Sequence, residues 1–116
     1  MVWTVEFATA AERDLTLIFD HQIDSYRDFG DDPRTAFERA VGRLSAIQTA
    51  AQGLAAVPFQ GTLRPDLLDG VRFVRHDRAV FWFLPDADRE VVQVLAVFFG
   101  GQDHIRHMLV RLLGRD

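Results

Sequence analysis

The sequence predicts a single α+β domain over residues 1–116: an N-terminal strand, an antiparallel helix pair, a three-stranded antiparallel meander and a short C-terminal helix. Three observations lead there. Apolar residues recur at helical spacing from Leu15 to Tyr26 and again from Phe37 to Ala51, with "GDDP" between. Three apolar runs then follow, separated by the turn sequences "HDR" and "PDADRE". At 116 residues, with no internal repeat or linker, the chain suits one core.

Each element has a local reason. In "VWTVEFA", Trp3, Val5 and Phe7 alternate with Thr4 and Glu6, the pattern of a half-buried strand. Thr9 stands three residues before Glu12, as in a capping box. Leu15, Ile18, Phe19, Ile23 and Tyr26 form the first helical stripe, and Gly30 ends it. Asp32 is placed to cap the second helix, with Pro33 at its first position, where a missing N–H costs nothing. Phe37, Ala40, Val41, Leu44, Ile47 and Ala51 share its apolar face, and Gly53 closes it. Residues 54–70, with Pro58, Gly61, Pro65 and Gly70, read as loop. Strands are expected at about 71–76, 79–84 and 91–99. Asp103 then caps a last helix with Ile105, Met108, Leu109, Leu112 and Leu113 on one face. Two antiparallel helices return the chain to the end it left, so the strand at 71–76 is expected to oppose the first.

Composition excludes several classes. Without cysteine there is neither a disulfide nor a thiolate metal site. No apolar run is long enough to span a bilayer, and "MVWTVEFATA" lacks the basic start and long apolar core of a signal peptide, so a cytoplasmic location is expected. Every basic residue is arginine, and the net charge of −4 argues against broad binding to a phosphate backbone, though not against a local basic patch.

"AVFWFL", residues 79–84, has no polar position. Alternation puts Phe81 and Phe83 on one face and Val80, Trp82 and Leu84 on the other. The helix pair covers one face, and the short C-terminal helix covers only part of the second. Either that helix and the loop suffice, or a partner protein covers the remaining apolar surface; ten phenylalanines favour the partner, with Phe81, Trp82, Phe83, Phe98 and Phe99 as its candidate contacts.

The order and spacing of these motifs resemble the RelE/ParE superfamily of toxins from bacterial type II toxin–antitoxin systems. "WTVEFATAAERDLTLIFDHQ" is similar to the family's opening strand and amphipathic helix. "FQGTLRPDLLDGVRFVRHDRAVFWFLPDADREVVQVLAVFFGGQD" is similar to its loop, hairpin and closing strand. The resemblance covers most of the chain. It implies a cognate antitoxin as partner, no cofactor, and either DNA gyrase or the ribosome and its mRNA as target. The departures separate the branches. Ala79-Val80 stand where the family often has Tyr-Arg. Phe99, Gly101 and Gln102 stand where the ending usually has His and Arg, while Gly100 and Asp103 match. Met108 holds the place of the late tyrosine that RNases of the RelE branch often use, and the chain's one tyrosine is Tyr26. These differences favour the ParE-like branch, whose members bind gyrase rather than cut RNA.

Arg72, Arg75, Arg78, Gln102, His104 and Arg106 are the candidate target contacts. Arg72 and Arg75 differ in parity, so they should not share a face. Arg75 takes the place of an arginine of the RNase branch and is suited to a bidentate phosphate or carboxylate contact, or to a surface pair with Asp66, Asp69 or Asp77. If the chain is an RNase, Arg75, His104 and His107 are its catalytic candidates: one histidine deprotonates the 2′-hydroxyl and another protonates the leaving oxygen. The bland alternative for His76, His104 and His107 is a set of plain surface histidines. No metal site is expected, since Asp103 alone stands near the two C-terminal histidines. Gly100-Gly101 reads as a turn rather than a phosphate loop.

Overall fold

The computed structural model describes residues 2–100 and 103–114. Its elements are β1 (Thr4–Phe7), α1 (Thr9–Asp28), α2 (Pro33–Gln52), a single 3₁₀ turn (Gly53–Ala56), β2 (Thr62–Leu63), β3 (Arg72–His76), β4 (Ala79–Asp86), β5 (Val91–Phe99) and α3 (His104–Leu112). The strands form one sheet in the order β1-β5-β4-β3-β2, with β1 parallel to β5 and every other pairing antiparallel.

One expectation of direction fails. β3 runs parallel to β1, not opposite to it, as the pairings through β4 and β5 require. The reversal is taken up by the loop after α2. There Thr62 and Leu63 form a short strand against Phe73 and Arg72, so that β2, not β3, is the strand that opposes β1.

The helix ends show which local signals hold. Asp32 caps α2, its Oδ1 accepting from the Thr35 N–H at 2.8 Å. That hydrogen bond is the main reason the Asp32 carboxyl lies below its ordinary value. Gly30, at φ 101°, ends α1 in a Schellman arrangement: its N–H donates to the Arg27 carbonyl and that of Asp31 to the Tyr26 carbonyl. The capping box at Thr9 does not form. Ala8 takes the cap position because its N–H is already bonded to the Val94 carbonyl at 2.9 Å, continuing the parallel ladder into the helix. Gly53 adopts right-handed helical angles and carries the chain into the 3₁₀ turn instead of stopping it.

Two apolar clusters lie on opposite faces of the sheet. Beneath α1 and α2, Phe81, Phe83, Val92, Val94 and Val97 pack against Ala11, Leu15, Ile47, Ala51 and Leu54. On the other face, Val80, Trp82, Ala96 and Phe98 pack against Val71 and Met108, with Leu67, Leu68, Ile105 and Leu112 at the margin. A register shift between Trp82 and Phe83 leaves Leu95 without a partner on β4. Leu95 and Ala96 therefore both serve the second face, and Val97 returns to the first.

These contacts correct the expected docking surface. Phe81, Trp82 and Phe83 are 0% exposed, and Phe98 is also buried. Phe81 and Phe83 lie beneath the helix pair, and α3 and the 64–71 loop close the other face over Trp82, so these three offer no surface to a partner. Met108 is the buried centre of α3, whereas Leu109 and Leu113 are exposed. Exposed apolar side chains lie elsewhere, on the helix hairpin at Leu17, Phe29, Phe37 and Val41 and on the loop at Val57 and Phe59. No described helix is long and apolar enough to cross a membrane.

Candidate functional site

β3 carries Arg72 and Arg75 on opposite faces, as their parity requires. Arg72 faces the helix-pair side, where its guanidinium donates to the Phe59 carbonyl at 2.7 Å and lies over the Phe59 ring. Arg72 is thus committed to holding the 54–70 loop. Arg75 lies on the α3 side, exposed, close enough to act electrostatically on His104.

His104 is held by aromatic residues. Its ring centroid is 4.8 Å from that of Phe73 and 5.7 Å from that of Trp82. The Trp82 indole N–H donates to His104 Nδ1 at 3.2 Å. Burial is the main cause that holds His104 below its ordinary pKa; the Arg75 guanidinium adds to it and Asp103 opposes it. A neutral imidazole with Nδ1 accepting from the indole carries its proton on Nε2. Its one lone pair is already used, so in this arrangement it cannot take a proton from a substrate.

His107, one turn on, faces a different surroundings. Its ring lies 5.8 Å from that of Phe98, at the wall of an open groove of about 690 Å³. α1 forms one bank through Leu17, His21 and Gln22, with Phe29 just after its end; α2 supplies Arg39 and Arg43; the β3–β4 turn supplies Arg78; α3 supplies His107 and Arg111. Phe98, Phe99 and Gly100 line its base. The arginines stand over aromatic rings: Arg39 is 4.1 Å from the Tyr26 centroid, and Arg43 and Arg78 are 5.7 and 5.2 Å from that of Phe99. Arg39 pairs with Asp31 and Arg43 with Asp77. Arg78 has no carboxylate partner among the described residues.

At the inner end of this groove Asp14 joins the two sides of the molecule. β1 stops at Phe7, so β5 has a bare edge farther on. Asp14 reaches that edge from α1 and accepts from the Val97 N–H at 2.9 Å. Arg111 comes from α3, on the other face, and donates to both Asp14 carboxylate oxygens at 2.7 and 2.8 Å. Next along α1, Gln22 is only 9% exposed, and its amide makes no hydrogen bond among the described residues.

The structure therefore brings Arg75 near His104 and sets His107, one turn on, in the groove that Arg78 also lines. Arg106 is exposed on α3, and Gln102 lies outside the described residues. Among the described residues, no three His, Asp or Glu side chains gather as a metal site. Sequence reasoning did not single out Asp14, Gln22, Arg39, Arg43 or Arg111. A usable signal existed for two of them: Asp14 and Gln22 are polar positions inside the α1 stripe that contains Ala11, Leu15 and Ile18.

The chain superposes on a chain of the chromosomal ParDE TA system from P. aeruginosa with a TM-score of 0.64, at 22% identity, over 85% of this chain and 97% of that one. The chain has the RelE/ParE toxin fold. A chain of the toxin–antitoxin complex RelBE2 from Mycobacterium tuberculosis gives a TM-score of 0.56, also at 22% identity, covering 88% of this chain and 95% of its own. No protein-family model matches the sequence, and neither does any curated protein. At such identity the likeness is one of architecture: the opening strand, helix pair, antiparallel strands and final helix of the RelE/ParE fold. The arginine groove lies at the end of that fold where β5, the β3–β4 turn and α3 meet.

Proposed function

We propose that this chain is the toxin of a toxin–antitoxin pair, and that it acts by binding its target, as a ParE-like inhibitor of DNA gyrase, rather than by cutting RNA. One observation carries the choice of mechanism: the lone pair of His104 is spent on Trp82, and His107 lies in a separate groove from Arg75. RNA cleavage needs a base, an acid and cationic groups converging on one phosphate. A binding toxin needs a surface, and the groove provides one, with arginine, histidine and exposed Leu17 and Phe29. Its cognate antitoxin, on this reading, covers the groove with an acidic segment bearing apolar side chains.

Induced alone in a bacterial host, the chain should arrest growth, and co-expression of the protein encoded beside it should restore growth. Failure to arrest growth, with a stable complex still formed, would leave a degenerate toxin that retains only antitoxin binding. Failure of both would end the toxin reading. A ribosome-dependent mRNA endonuclease is the second reading, favoured by the closeness of Arg75 and His104. It requires mRNA cuts that Arg75→Ala abolishes.

A further inference from the structure

The bare edge of β5 is capped by Asp14 and Arg111, but the bare edge of β3 is not capped. β2 is two residues long, so β3 has no neighbour beyond Phe73. Backbone groups alternate in direction along a strand. The Val71 carbonyl points outward, to the Arg64 N–H at 2.8 Å. The Phe73 carbonyl also points outward, against Gly61, where an added Cβ would collide with it. Arg75 is two residues farther on, so its N–H and C=O point the same way. The chain that would have met them has turned off, the Gln60 N–H folding back to the Val57 carbonyl. No described residue takes either group.

The surroundings of this edge specify what fits it. On the helix-pair side, Gly42, Ser45, Ala46 and Thr49 of α2 stand back from Val74 and Phe81, leaving an open trough of about 720 Å³. On the other side projects the Arg75 guanidinium. Among the described residues Arg75 forms no ion pair, and two of the acids that the sequence offered it are taken elsewhere, Asp66 by Arg64 and Asp77 by Arg43.

We propose that the Arg75 edge of β3 is a docking site for an extended peptide segment of a partner protein, with a carboxylate residue opposite Arg75 and small apolar residues on either side of it. Such a segment exchanges two backbone hydrogen bonds with Arg75, matching groups that any other covering would bury unpaired. Alternation places its carboxylate on the face of Arg75 and its two flanking side chains over the trough. A second copy of the chain, pairing about the same residue, would set arginine against arginine. The edge is separate from the arginine groove, and docking here does not depend on the toxin reading.

The probe is the peptide acetyl-Ser-Thr-Val-Glu-Val-Thr-Ser-amide, titrated into the whole chain while backbone amide exchange is followed. Exchange of the Arg75 N–H should slow as the peptide saturates. Replacing the peptide's glutamate by lysine should weaken binding about tenfold. Ala46→Trp, at an exposed position, should fill the trough and abolish binding with the melting temperature unchanged. The proposal is overturned by no binding up to about 1 mM peptide, or by binding that leaves the Arg75 amide unprotected. Wild-type affinity in Ala46→Trp also overturns it, as does Arg75 protection that rises with chain concentration alone, which assigns the edge to a second copy.

Discussion

The sheet face under α1 and α2 and the face under α3 draw aromatic residues from the same strand, yet they are closed by very different means. Two 20-residue helices cover the first, and alanines at 11, 36, 40 and 51 allow a close approach. The second is closed by a nine-residue helix and a loop, centred on Met108 and sealed by a histidine–indole contact. A long amphipathic pair gains its stability from many shared contacts, whereas a short helix is marginal alone and holds only through a few docked side chains. The first face is thus the fold's foundation. The second is its adjustable side, with Arg75 and Arg111 beside it.

Removing a ring beneath the helix pair should do the most damage. Phe81→Ala should lower unfolding free energy by about 3–5 kcal/mol in denaturant titration and loosen the whole sheet. On the α3 face, Met108→Ala should cost about 2–4 kcal/mol. If the two faces differ as described, amide exchange in Met108→Ala should quicken over α3 first, while β5 and α1 stay protected. Equal quickening everywhere would erase the distinction.

Asp14→Ala cuts the tie between the faces. It leaves the Val97 N–H and Arg111 without their acceptor and should cost about 2 kcal/mol, less than a wholly enclosed pair because Arg111 is partly exposed. The smallest effect should be a pH dependence confined to α3. His104 has a lowered pKa when folded, so the unfolded chain binds its proton first. Its contribution is complete above the ordinary value of 6.5 and is lost as pH falls below it. His104→Gln should remove that part of the slope in melting curves between neutral and mildly acidic pH.

Much of the fold was legible because its signals are local. The helix stripes, the Asp32 cap and the alternation of Phe81 and Trp82 each depend on neighbours a few residues away. Strand direction was not, because the two-residue β2 has almost no pattern of its own. The closing of the second face was misread for a similar reason: Leu67 and Leu68 lie in a segment whose prolines and glycines mark it as loop, and loops carry no period. The groove was the least legible part. It is assembled from α1, α2, a turn and α3, and residues such as Arg43 and Arg78 meet over Phe99 only after the chain has folded. His104 and His107 were both visible as candidates, but only the fold separates the one that supports Trp82 from the one that lines the groove.

The measurement that bears most directly on the proposed binding mechanism is a paired in vitro assay with one preparation of the chain. Translating ribosomes are scored for mRNA cuts by primer extension, and gyrase is scored for supercoiling. The expected result is intact mRNA, reduced supercoiling, and recovery of supercoiling when Arg78→Glu replaces the wild type. Site-specific mRNA cuts that Arg75→Ala abolishes, with supercoiling untouched, would contradict it.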